Sequence, residues 1–255
     1  MAKKEKTTEE ARKAEKRDGQ EEKAEPAIES KISSEDDYRA RMREAELDRW
    51  VPRTELGKEV REGKIKSVDE IFKRNSRILE SEIVDLLMPT VETDLIKVGQ
   101  AKGKFGGGKR RPWRQTQKKT AEGNVPTFGC VVVAGNRDGY VGLGHGKAKE
   151  TVPAKLKAIR NAKTNIMPIK RGCGSFECTC KEPHSIPFRV EGKCSSARIV
   201  LMPAPKGTGL VIDDECKKIL KLAGIKDVYS KTFGQTRTKF NLAKATINAL
   251  KKLSD

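Results

Sequence analysis

The sequence predicts an α+β protein: two small units of strands and helices behind a helical, charged N-terminal extension. Three observations predict it. Short runs of β-branched residues, bounded by Gly, Pro, Asn or Asp, alternate with amphipathic helical stretches. A glycine-rich cationic stretch interrupts the first unit. Hydrophobic and charged residues each make up 35% of 255 residues, so part of the chain lies outside any core. The formal net charge of +18 calls for a polyanionic partner, nucleic acid before anionic membrane. No apolar run approaches the roughly 18–20 residues of a membrane-spanning helix. The start is charged from Lys3 onward, unlike a secretory leader. An intracellular protein is expected, with its six cysteines reduced or bound to metal.

Taken in order, residues 1–37 are rich in Glu, Lys and Ala and poor in large apolar residues. They read as a disordered or fraying tail. Residues 38–92 read as a helical extension. Tyr38 to Trp50 suits a helix stopped by Pro52, and Ser67-Val-Asp-Glu70 has the form of a capping box. Ile71, Phe72, Ile78, Leu79, Ile83, Leu86 and Leu87 give two short amphipathic pieces closed by Pro89. Their apolar stripe needs something to pack on, either the later units or a partner.

The next unit spans residues 93–165. Asp94 to Val98 is a first strand. Lys97 to Thr120 holds nine Lys and Arg and no Asp or Glu, a mobile arm whose glycines let a phosphate backbone come close. Thr127 to Ala134 and Tyr140 to Gly144 are strands joined by the turn Gly135-Asn-Arg-Asp-Gly139. A helix follows over Lys149 to Asn165. Val152, Leu156, Ile159, Ala162 and Ile166 fall on one of its faces, with Lys155, Lys157, Arg160 and Lys163 elsewhere. Strands followed by a helix with a basic outer face suit a shape-reading double-stranded-RNA binder.

Residues 166–255 form the second unit, read as α/β or α+β from alternating strands and helices. Its strands are Ile166 to Lys170, Ile186 to Val190, Ala197 to Met202, Leu210 to Ile212 and Ile225 to Thr232. Asp213 can cap a short helix through Cys216, Ile219, Leu220 and Ala223, stopped by Gly224. Lys239 to Leu253 is the last helix, with Phe240, Ala243, Ile247 and Leu250 on one face.

Several long motifs together resemble the small-subunit ribosomal protein five family. They are Phe128 to Glu150 (FGCVVVAGNRDGYVGLGHGKAKE), Val200 to Val211 (VLMPAPKGTGLV) and Leu222 to Val228 (LAGIKDV). Trp50 to Gly57 and Ile65 to Ile71 resemble the extension of the archaeal and eukaryotic branch, and the Cys-rich loop the archaeal one. The resemblance covers about Trp50 to Leu253. It implies a double-stranded-RNA-binding-like domain followed by a left-handed βαβ domain, a handedness that breaks a general rule. It also implies a structural constituent of the small ribosomal subunit, cytoplasmic, and neither an enzyme nor a homo-oligomer. The partners implied are ribosomal RNA, proteins three, four and eight, and mRNA near its entrance channel, with no membrane. Contact with protein four would bear on decoding accuracy. The rival is a free double-stranded-RNA-binding regulator.

The residues expected to meet RNA are Lys102, Lys104, Lys109, Arg110, Arg111, Trp113, Arg114, Lys118, Lys119, Lys147 and Lys149. Trp113 either stacks on a base or arginine or anchors the arm to the sheet. The glycines of Gly142 to Gly146 allow close approach of RNA or of a helix. Tyr229 to Lys239 is basic and hydroxyl-rich, suited to phosphate. Gly103 to Lys109 matches seven positions of a P-loop, but Arg110 stands where Ser or Thr should bind Mg²⁺. Pro203 to Leu210 faintly resembles a kinase phosphate loop, which likeness of fold does not make chemical. Cys173, Cys178, Cys180 and His184 could hold zinc. The C-x-C spacing strains two ligands on one short segment, so free thiols in a hairpin are the other reading. Cys194 is an alternative fourth thiol.

Overall fold

The computed structural model describes residues 47, 49–100, 110–180 and 182–253. The tail 1–37, most of the helix at 38–50 and Lys102, Lys104 and Lys109 lie outside them. The described residues from Pro52 onward make one compact unit.

Three short helices open this unit: α1 (Glu55–Arg61), α2 (Val68–Lys73) and α3 (Ser81–Leu87). The first is not apparent in the sequence pattern. It is capped by Thr54, whose Oγ1 accepts the Gly57 N–H at 3.1 Å. Ser67 occupies the N-cap of α2, but its hydroxyl donates to the Glu70 carboxylate at 2.9 Å instead of accepting a backbone N–H. Ile71, Ile78, Ile83 and Val84 are buried, whereas Leu79 and Leu86 are exposed. The stripe docks on the first sheet and its helix: Phe72 stacks on Tyr140, and Lys163 binds Asp85 at 2.6 Å.

The first sheet holds β1 (Glu92–Ile96), β2 (Arg114–Thr120), β3 (Gly123–Gly135), β4 (Tyr140–Ala148) and β5 (Ile166–Pro168). All pairings are antiparallel. β3 lies between β4 on one edge and β1 and β2 in succession on the other, and β5 extends the sheet past β4. Ile166–Pro168 therefore closes the first sheet and does not open the second. Asn136 shapes the turn before β4, its Oδ1 accepting N–H bonds from Asp138 and Tyr140.

The helix α4 (Thr151–Thr164) lies against one face of this sheet, on a different side from the one its larger apolar residues suggest. Val152 is 65% and Leu156 54% exposed, while Ala154, Ala158 and Ala162 are buried. The reason is steric. β4 presents Gly142, Gly144 and Gly146 to the helix, and a Cβ on Gly144 would sit 2.1 Å from the Ala158 carbonyl oxygen. At that separation only alanine fits, so Val152 and Leu156 face outward and Ile159 packs at the margin of the contact.

The opposite face of the sheet, with Ile96, Val131, Val133 and Val141, shares one buried cluster with the C-terminal half. That half holds β6 (Val190–Cys194), β7 (Ala197–Pro203), β8 (Leu210–Val211), α5 (Asp214–Leu222), β9 (Val228–Phe233) and α6 (Lys239–Lys251). Its sheet order is β6-β7-β9-β8, with β8 parallel to β9 and the other pairs antiparallel. β8, α5 and β9 thus form a βαβ unit. Residues 186–189 precede the first strand of this sheet, contrary to the expected strand from Ile186. Asp213 stands at the N-cap of α5, but its carboxylate pairs with Lys239 and makes no cap bond. Gly224, at φ +81°, ends the helix as expected.

Candidate nucleic-acid interface and thiol cluster

The arm predicted as mobile is in part a strand. Arg114–Thr120 pairs in seven register positions with β3, from Arg114 opposite Gly129 to Thr120 opposite Gly123. Its sequence, RQTQKKT, has no apolar alternation, and every residue of it is exposed. It forms because β3 runs on past the body of the sheet and offers a free edge. The Thr116 and Thr127 hydroxyls meet at 2.8 Å across the ribbon. The base of the arm is closed by the Gly99 N–H on the Arg111 carbonyl at 2.8 Å.

Residues 110–127 carry five Lys and Arg and one Glu. Alternation places Arg114 and Lys118 on one ribbon face and Lys119 on the other. Arg111 is exposed, whereas Arg110 donates to the Arg237 carbonyl at 3.0 Å. Trp113 is half-buried on the cluster of Cys130, Val132 and Ala134, an anchoring position. Lys147 and Lys149 are exposed at the end of β4. Lys147 and Arg114 flank Gly129 in one row across three strands. Gly129 has no side chain to fill the space between them.

The sequence did not mark His145, Phe240 and Lys244 as part of this surface. His145 stands opposite Val131, two residues before Lys147, and its ring lies 5.4 Å from that of Phe240. Lys244 sits 4.4 Å over the Phe240 ring. Partial burial lowers the His145 pKa, and the Lys244 and Lys147 charges lower it further. The conjunction of β4 with α6 is tertiary, and no local pattern announces it. The expected phosphate-binding stretch Tyr229–Lys239 ends beside the base of the arm, where Arg237 receives Arg110.

The second feature is the loop from Gly172 to Ser185, closed at its neck by reciprocal backbone hydrogen bonds between those two residues. Cys173, Cys178, Cys180 and His184 present Sγ and ring-nitrogen atoms within 4.8 Å of one another. Cys178 Sγ lies 2.9 Å from Cys180 Sγ and 3.7 Å from His184 Nε2, and Cys180 Sγ donates to Cys173 Sγ at 3.6 Å. Cys194 is not among them. The facing Cys180 thiol, then the Lys206 and Cys180 N–H groups, hold Cys178 down to about 6. Cys180, against the Cys178 thiol and then the Cys173 thiol, is pushed up to about 11.

His184 and Asp227, 3% and 4% exposed, join through Nδ1 and Oδ2 at 2.8 Å. The other oxygen of Asp227 accepts the Gly207 and Gly209 N–H groups at 3.1 and 2.8 Å. Ser185 Oγ donates to the Asp227 carbonyl at 2.6 Å, and the Asp227 N–H to the His184 carbonyl at 3.1 Å. The amides of the glycine loop after Pro203, which in sequence resemble a phosphate cradle, are therefore satisfied within the protein.

Models of the ribosomal protein S5 N-terminal domain and C-terminal domain match residues 113–170 and 192–255. The chain is 50% identical over 209 residues to a small ribosomal subunit protein uS5 of Nanoarchaeum equitans, covering 82% of this chain and 90% of the relative. It is 52% identical over 208 residues to that of Aeropyrum pernix (82% and 88%) and 53% over 205 to that of Staphylothermus marinus (80% and 89%). The class is therefore that of small-subunit ribosomal proteins, structural components of a cytoplasmic particle and not enzymes. Within it the chain belongs to the ribosomal protein S5 family, in its archaeal type. No helix among the described residues is long and apolar enough to cross a membrane.

Proposed function

We propose that this chain binds ribosomal RNA through the β2–β3 ribbon and the adjoining Arg114–Lys147 row. The observation that carries the proposal is the ribbon itself. A two-stranded hairpin exposed on both faces is marginal in water, and this one carries three cations, Arg114, Lys118 and Lys119, to one anion, Glu122. A polyanion laid along it would neutralise the cations and cover both strands. Lys149, Arg111 and Lys119 widen the footprint, and His145 and Lys244 extend it onto α6. Read with the S5 family, the first sheet with α4 is a double-stranded-RNA-binding-like domain, and β8–α5–β9 is the left-handed βαβ unit. The chain would then border the mRNA entrance beside proteins three and four, touch protein eight, and affect decoding accuracy through protein four.

Ultraviolet crosslinking of native small subunits, followed by peptide mass spectrometry, tests this. RNA adducts are expected on peptides covering residues 110–127 and 145–149. Adducts confined to other segments, with the ribbon peptides crosslinked only to protein, would overturn it.

A further inference from the structure

We propose that Cys173, Cys178, Cys180 and His184 bind one structural zinc ion, with Asp227 holding the histidine in its ligating form. The donor set is three sulfurs and one imidazole nitrogen, soft and borderline ligands that suit zinc over the oxygen-seeking cations. Four protein ligands complete a tetrahedron and leave no open position, which makes the site structural and not catalytic. With Zn–S of about 2.3 Å and Zn–N of about 2.0–2.1 Å, a tetrahedron sets the ligand atoms about 3.6–3.8 Å apart. Cys178 to His184, at 3.7 Å, and Cys180 to Cys173, at 3.6 Å, already stand at that spacing. Cys178 and Cys180, at 2.9 Å, would have to open by about 0.9 Å to reach it.

The histidine supplies the independent argument. A buried carboxylate accepts its Nδ1–H, so the lone pair lies on Nε2, and Nε2 faces the thiols. This carboxylate–histidine–metal relay fixes the tautomer and raises ligand basicity. The loop also needs such a brace. From Gly172 to Pro183 no described residue is buried, and Phe176 in the middle is fully exposed. A stretch with no core of its own gains order from a metal that binds only its folded form. Through Asp227 the same ion would steady the Gly207–Gly209 loop and the start of β9.

Elemental analysis of the untagged full chain, purified reduced at neutral pH without chelator, is expected to find about one zinc per chain. Replacement by cobalt should give tetrahedral d–d bands with thiolate charge transfer. Cys178→Ser should lose both signals and Cys194→Ser keep both. Asp227→Asn should keep the stoichiometry but bind about 10–100-fold more weakly in chelator competition. Far-substoichiometric zinc in the wild-type chain, or a cobalt spectrum without thiolate bands, overturns the proposal. So does a chain that loses zinc with Cys194→Ser and keeps it with Cys178→Ser. If Cys178→Ser does not fold, the wild-type cobalt spectrum decides.

Discussion

The β2–β3 ribbon and the junction at Asp227 use polar residues in opposite ways. In the ribbon the charges of Arg114, Lys118 and Lys119 project into solvent, and the backbone ladder with the Thr116–Thr127 hydroxyl pair holds the strands. At the junction one carboxylate accepts three hydrogen bonds, from His184 and two glycine amides, and is itself buried. The junction's polar groups are consumed by the fold. Those of the ribbon are left free for an external ligand. Substitution at the junction should therefore be read in stability, and in the ribbon in affinity.

The largest effect tests the junction. Asp227→Ala strands the His184 N–H and the two glycine amides, and is expected to cost about 3–5 kcal/mol in urea unfolding. A loss below about 1 kcal/mol would break the contrast. The next test is on the ribbon. Replacing Arg114, Lys118 and Lys119 together by Ala should lower the log–log salt slope for a duplex-rich fragment of small-subunit ribosomal RNA by about 2–3. Stability should change by less than about 1 kcal/mol. An unchanged slope would mean that these cations meet no phosphate.

The smallest effect sharpens the boundary between the regions at His145. Lys244→Ala removes one of the charges that depress its pKa and should raise it toward the ordinary value, as followed by NMR titration. Because the folded pKa is lowered, the unfolded chain binds the proton more readily. The His145 contribution to stability is therefore present above the unfolded value of about 6.5 and is lost as pH falls through it toward the folded value. A pKa unmoved by Lys244→Ala would leave burial and the Lys147 charge as its causes.

Legibility in the sequence divides along the same line. The valine-rich β3, its turn and β4 are legible because alternation and turn chemistry are local. The βαβ order after Pro203 can be read from the Asp213 and Gly224 signals, although Asp213 pairs with Lys239 and makes no cap bond. The sequence pattern misplaces the inner face of α4 because the partners of Ala154, Ala158 and Ala162 are glycines. Periodicity follows the large residues, and close approach expels them. β2 reads as a mobile arm because a strand held by backbone pairing and threonine hydroxyls needs no apolar side chains. The cysteines stand out by spacing. Asp227, which organises both His184 and the glycine loop, lies 43 residues from the histidine, beyond any spacing rule.

β3 begins in solvent and ends in the core. Its first five residues, 123–127, pair only with β2, and the rest lies between β4 and the inner strands. At about 3.4 Å per residue it projects roughly 17 Å as a cantilever. Its clamped end holds Val131 and Val133 inside the packed interior. One unbroken strand runs from tip to clamp, so whatever grips the ribbon is joined to the packed interior by continuous backbone.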